Sequence, residues 1–233
     1  MSVHYRIGLH VKGDSMPTIS VEQSLLAQLM SDHGCSHDIE DVDHRLPLLG
    51  TDIDTCNEET LDIEIFPDRP DLLSGETLSV AMRAFLHNKA TLERESLTDS
   101  GIHISVDSEL KTIRPIILGA VVKGIQMKDD DEMDSFIKNL MDHQEKLHFA
   151  LGRGRRRASI GVHDLKSIKA PFKVRAVPRS HSFIPLANQT EMDIESILTE
   201  HPKGIDYAHL LDGMSMVPII EDASGSVLSF PPI

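Results

Sequence analysis

Leu61-Asp62-Ile63-Glu64-Ile65 alternates strictly between apolar and acidic residues, the period of a half-buried strand. Phe66-Pro67-Asp68-Arg69-Pro70 ends the run. Ser74 then stands where a cap belongs, before a helix carrying Leu78, Met82, Phe85 and Leu86 on one face. Upstream, Ser20 and Gln23 form a capping-box pattern ahead of Leu25, Leu26, Leu29 and Met30, with Gly34 as a stop. Residues 35–60 read as acidic and loop-rich, and 91–101 as a polar linker. Residues 1–15 read as a poorly patterned extension before Met16.

In the second half, Ile102–Val106 is a short strand candidate, and the Ile- and Val-rich Pro115–Gln126 predicts a buried strand. Asp129–Leu151 predicts the longest helix. Ile137, Leu140, Met141, Gln144, Leu147, His148 and Leu151 share one face of it, so Gln144 and His148 interrupt an apolar stripe. Ala158–Val162 and Lys173–Val177 read as strands, and Asp193–Thr199 as a short helix. Met216–Ile220 and Ser226–Phe230 read as a hairpin around Asp222-Ala223-Ser224-Gly225. This order predicts an α+β fold. A small N-terminal α/β unit over 16–90 precedes an incomplete mixed-sheet domain over 102–233, crossed by the long helix.

The 233 residues suffice for one large domain or two small ones with a buried core. With 40% apolar residues the chain reads as globular, and 4% aromatics with no Trp argue against a broad stacking surface for bases. The charge is 23 basic against 37 acidic residues, a net of −14. From Lys146 to Arg179, however, ten Lys and Arg face one acid, Asp164, so a basic island interrupts an acidic chain. Two cysteines, Cys35 and Cys56, do not make a disulfide framework. No run approaches a membrane span and no leader pattern opens the chain, so the expectation is a cytoplasmic protein without a membrane partner.

The sharpest chemical cluster is Arg153, Arg155, Arg156 and Arg157. Arginine forks suit phosphate oxygens, which points to RNA or another polyanion. Equally, the four can cap the preceding helix and pair with carboxylates. His33, Cys35, His37 and Cys56 lack a recognised zinc spacing, so a loop that happens to hold them is the stronger reading and no metal is assigned. His163-Asp164 is as well explained by a turn as by phosphohydrolase chemistry. No nucleophile elbow and no phosphate-binding loop is present, so no catalytic residue is assigned and the chain alone is expected to be inactive.

Several separated phrases resemble one family. Asp62-Ile-Glu-Ile-Phe-Pro-Asp-Arg-Pro-Asp-Leu-Leu-Ser74 is similar to the N-terminal signature of the phenylalanyl-tRNA synthetase beta subunit. Gln144-Glu-Lys-Leu-His148, running on to Asp164, resembles the archaeal and eukaryotic cytosolic form. Phe183–Leu186, His201–Gly204 with Tyr207–Leu210, and Val227–Ile233 continue it in order. The likeness covers about residues 16–233. It departs at Thr77 and Val80, where the family carries Gly and Arg.

The resemblance implies a long beta subunit in a heterotetramer with two catalytic alpha subunits, acting on tRNA-Phe. ATP and Mg2+ belong to that complete enzyme and none is expected to be bound by this chain. Its 16–90 region would be a B1-like domain, and 102–233 a B3/B4-like editing domain truncated at its C-terminal end. Ile220 and Ser229 map onto the editing pocket that hydrolyses mischarged tyrosyl-tRNA, with an Asp and a Thr beyond residue 233 completing it. The abrupt Phe230-Pro231-Pro232-Ile233 ending predicts a fragment. The competing reading is a truncated paralogue acting as a non-catalytic RNA- or protein-binding module.

Overall fold

The alternating run at 61–65 becomes the middle strand of a three-stranded antiparallel sheet. In chain order the strands are β1 (Thr18–Glu22), β2 (Thr51–Cys56) and β3 (Thr60–Ile65), arranged β1-β3-β2. Leu61, Ile63 and Ile65 are all fully buried, while Asp62 and Glu64 point to the other face. This is a computed structural model, and it describes residues 16–89 and 96–233; the expectation for 1–15 and the start of the linker lies outside them. The described residues fall into two compact units, 16–89 with 134–151, and 96–133 with 152–233.

In the first unit, helices α1 (Gln23–Asp32), α2 (Ile39–Arg45) and α3 (Gly75–His87) accompany the sheet. Leu26, Met30, Val42, Leu78 and Met82 pack with its inner face. Ser74 caps α3 as expected. Its Oγ accepts the Thr77 amide at 3.2 Å, and Thr77 Oγ1 accepts the Ser74 amide at 3.3 Å. The expected Ser20 cap is wrong: Ser20 lies within β1, and α1 starts after Glu22 without a side-chain cap. Ile19 and Val21 are buried between exposed Thr18, Ser20 and Glu22, a period-2 pattern that outweighs a two-residue cap motif. The supposedly loop-rich stretch 35–60 holds α2 and β2. Helix α2 buries only Val42, so no apolar stripe announced it.

Helix α4 (Asp130–Phe149) lies within the predicted 129–151 span, yet residues 134–151 group with the first unit. Leu147 and Ala150 pack against the first core, whereas Ile137 and Met141 stay exposed. Periodicity marks a helix face without saying which core it meets.

The second unit is built on a mixed four-stranded sheet: β4 (Ile104–Val106), β5 (Phe172–Pro178), β8 (Met216–Glu221) and β9 (Val227–Ser229), in that order. Only β4–β5 is parallel. A two-stranded ribbon, β6 (Ser182–Phe183) and β7 (Met192–Asp193), leads into α5 (Ile194–Glu200) and α6 (Pro202–Tyr207). Val177, Ile194, Ile197, Leu211, Val217, Ile219 and Phe230 form the core. Asp193 caps α5 by accepting the Ser196 amide at 2.7 Å. Gly204 lets α6 approach α5, since a Cβ there would lie 1.8 Å from the Ile197 carbonyl oxygen.

Two predicted strands are absent. Pro115–Gln126 has no ladder, and Ile116, Leu118 and Val122 are more than 70% exposed. Ala158–Val162 likewise carries no strand, with Ile160 and Val162 exposed. An apolar run is a strand only when another strand takes its backbone groups; among the described residues none does so here. No described helix is long and apolar enough to cross a membrane.

Candidate functional site

Strand β8 has two unlike faces. Val217 and Ile219 are fully buried in the core of their unit, and Ile220, one residue on, turns to the opposite face and is half-buried. Ile220 is paired with Val174 on β5 and with Ser229 on β9. Residues in register on neighbouring strands share a face, with Cβ atoms roughly 5 Å apart. Val174, Ile220 and Ser229 therefore form one row across three strands. The two residues singled out from sequence are brought together, and Val174 joins them; the alternation of Lys173–Val177 held the signal for it. Strand β9 is the outer strand of the four, and a register irregularity follows Ile220, a device that re-aims side chains beside sites.

The turn beside the row is firmly built. Asp222 accepts hydrogen bonds from the Ser224 amide at 2.8 Å, the Ser224 hydroxyl, the Ser226 amide at 3.1 Å and the Lys169 amide at 3.0 Å. These donors, the Ser224 hydroxyl foremost, hold its carboxyl down to about 2. Glu221, nearly buried, takes Arg175 Nη1 on both oxygens at 2.9 Å.

The basic island disperses. Arg175 is committed to Glu221, Arg179 to Glu195 and the carbonyls of Leu211 and Met214, and Lys146 to Asp142. The arginine cluster divides in the same way. Arg153, Arg156 and Arg157 are exposed; Arg155 is buried. Arg153, Gly154 and Arg155 all have left-handed backbones, with φ of 51°, 61° and 62°, which costs roughly 1–2 kcal/mol for each non-glycine residue. The turn aims Arg155 inward. Its guanidinium lies 4.3 Å from the Tyr207 ring centroid and Nη1 donates to the Pro232 carbonyl at 3.1 Å. Tyr207 stood in one of the resembling phrases, but a tyrosine at a helix end has no period to betray its partner.

The remaining candidates separate. His33 meets Ser79 at 3.3 Å and His37 meets Gln23 at 2.8 Å, while Cys35 and Cys56 donate to backbone carbonyls. Among the described residues no three His, Cys, Asp or Glu side chains converge. Asp164 accepts the Lys166 amide and the Ser167 hydroxyl, which pull its carboxyl below the usual range; it opens a turn closed by the Ser167 amide on its carbonyl at 3.0 Å. His148 is buried and lies 3.1 Å from Glu145.

No protein-family model matches the chain. The phenylalanine–tRNA ligase beta subunit of Methanococcoides burtonii is 43% identical over 218 residues, covering 94% of this chain and 38% of that protein. The chain is a relative of the phenylalanine–tRNA ligase beta subunits. That of Archaeoglobus fulgidus is also 43% identical, over 189 residues, 81% of this chain and 34% of the relative. A crystal structure of an N-terminal fragment of the Pyrococcus horikoshii phenylalanyl-tRNA synthetase beta subunit superposes with a TM-score of 0.80 at 31% identity, covering 93% of this chain and 62% of that one. The chain thus spans little more than a third of the curated beta subunits' length. Thr77, one of the two positions where the resemblance departs, takes part in the capping box of α3.

Proposed function

We propose that this chain is the N-terminal part of a phenylalanine–tRNA ligase beta subunit, supporting aminoacylation of tRNA-Phe in the cytoplasm with an alpha subunit in a heterotetramer. Its β8–β9 pair forms one wall of a pocket that hydrolyses tyrosine wrongly esterified to that tRNA. The observation that carries the reading is the Val174–Ile220–Ser229 row. It sets a hydroxyl beside apolar surface on one sheet face, next to an outer strand where a ligand can approach.

The chemistry demands such a device. Phenylalanine and tyrosine differ by one hydroxyl, and an apolar pocket rejects an added hydroxyl only about 100-fold. A site that hydrogen-bonds the hydroxyl discriminates in the other direction, by roughly 10^4 or more, because the correct amino acid leaves the polar group unpaired. Val174 and Ile220 supply ring contact and Ser229 the hydrogen bond. The remaining wall is contributed by chain beyond residue 233. Arg153, Arg156 and Arg157, exposed on the same unit, face outward as phosphate contacts for the tRNA.

The test is hydrolysis of preformed tyrosyl-tRNA-Phe by the full-length beta subunit in complex with its alpha subunit. Ser229→Ala is expected to slow it at least tenfold with the melting temperature held. Wild-type hydrolysis by a folded Ser229→Ala complex would overturn the reading.

A further inference from the structure

We propose that Arg155 is a positioning residue that sets where the Ser229 hydroxyl stands in the editing pocket. The inference rests on the editing reading above and adds a residue from a distant part of the chain, 74 positions upstream of Ser229.

Strand β9 has a short ladder. It is three residues long, lies at the sheet edge, and pairs with β8 through Ile220–Ser229 and Glu221–Val227 with an irregularity between them. The ladder cannot continue past Phe230, because Pro231 and Pro232 have no N–H to donate. At the two prolines the backbone can be anchored only through carbonyls, and the Ile233 amide closes a turn on the Phe230 carbonyl at 2.7 Å. Phe230 plugs the core, 4% exposed. Three residues beyond Ser229, the Pro232 carbonyl accepts Arg155 Nη1 at 3.1 Å.

Arg155 is itself held from several sides. Its guanidinium lies 4.3 Å from the Tyr207 ring centroid of α6, and its backbone carbonyl accepts Arg114 Nη2 at 3.2 Å. It occupies a left-handed backbone position, φ 62°, where glycine would sit without strain. A side chain kept there against its backbone preference is used, and one of its contacts is to the segment after Ser229. A planar fork that stacks on an aromatic ring while donating edgewise is specific to arginine; lysine offers neither. The neighbouring Arg153, Arg156 and Arg157 point outward, so the four-arginine run divides into one inward latch and three outward charges.

The experiment compares Arg155→Ala, Arg155→Lys, Ser229→Ala and the Arg155→Ala/Ser229→Ala double variant, in the full-length beta subunit complexed with its alpha subunit. Single-turnover hydrolysis of tyrosyl-tRNA-Phe is measured with a melt on each sample. Arg155→Ala is expected to lower the hydrolysis rate constant on the order of tenfold or more, the scale of an ångström-sized misplacement, with KM for the mischarged tRNA unchanged. In the Ser229→Ala background it should add nothing, because it acts through that serine. Arg155→Lys, which keeps the charge and some bulk, should show the same kind of loss, and it carries the test should the alanine variant not fold. Wild-type hydrolysis by either folded Arg155 variant overturns the inference, even with a lowered melt. So does a loss in the double variant that multiplies the two singles, or a change confined to KM. If Ser229→Ala itself hydrolyses normally, the editing reading fails and this inference falls with it. If Ser229→Ala is impaired and the Arg155 variants are not, only the positioning role is lost.

Discussion

Ile219→Ala and Ile220→Ala are adjacent on β8, yet they should differ in kind. Ile219 is fully buried in the core of its unit, against the face that α5 covers. Truncating a buried isoleucine to alanine loses its transfer energy and leaves a cavity, about 2–5 kcal/mol. At roughly 2–4 °C per kcal/mol for a chain of this size, a mid-range loss of about 3 kcal/mol lowers the melt by about 6–12 °C. Ile220 is half-buried on the opposite face. Three carbon groups at ~0.8 kcal/mol each, half realised, give about 1 kcal/mol and a shift of about 2–4 °C. The assay is a thermal melt followed by far-UV circular dichroism on the purified chain, paired with tyrosyl-tRNA hydrolysis by the complete complex at 25 °C. Ile219→Ala should melt early and hydrolyse normally; Ile220→Ala should melt near wild type and hydrolyse poorly. Equal melting losses would refute the argument. A one-residue slip of β8 exchanges its faces, so a reversed pattern, with Ile220→Ala the larger melting loss, would refute the Ile220–Ser229 register.

Asp222, with its folded-state carboxyl at about 2 against an ordinary 3.8, contributes stability that is complete above about pH 4 and lost as the pH falls towards 2. Melting temperature against pH should therefore drop more steeply between 4 and 2 for wild type than for Asp222→Asn; parallel curves contradict the turn network. Gly204→Ala should destabilise the second unit by about 1–3 kcal/mol, since its new methyl meets the Ile197 carbonyl; a urea midpoint within error of wild type would show that α6 does not pack as described. Arg153, Arg156 and Arg157 together replaced by Ala should flatten the log–log salt dependence of tRNA binding by the complete complex by about 2–3, at roughly 0.7–0.9 per phosphate contact, without lowering the melt. An unchanged slope removes them from the RNA contact.

Local patterns fixed much of this protein before any coordinates. The alternation at 61–65, the Ser74 cap, the long helix within 129–151 and the 216–230 hairpin all stand where short-range periodicity and capping chemistry put them. Each depends on residues a few positions apart, so the chain carries the whole instruction. The resemblance also named Ile220 and Ser229, but only strand pairing makes them neighbours on one face with Val174. Tertiary structure decided the rest, because it depends on partners far along the chain. Pro115–Gln126 has a strand's composition and among the described residues no strand to pair with. The apolar face of α4 meets the first core through Leu147 and Ala150, and leaves Ile137 and Met141 in water. The arginine run read as one uniform cluster, since four like side chains carry the same charge in sequence. A left-handed turn and a tyrosine fifty-two positions later single out Arg155. Burial is a property of the space around a side chain, and that space is filled by segments that no local pattern contains.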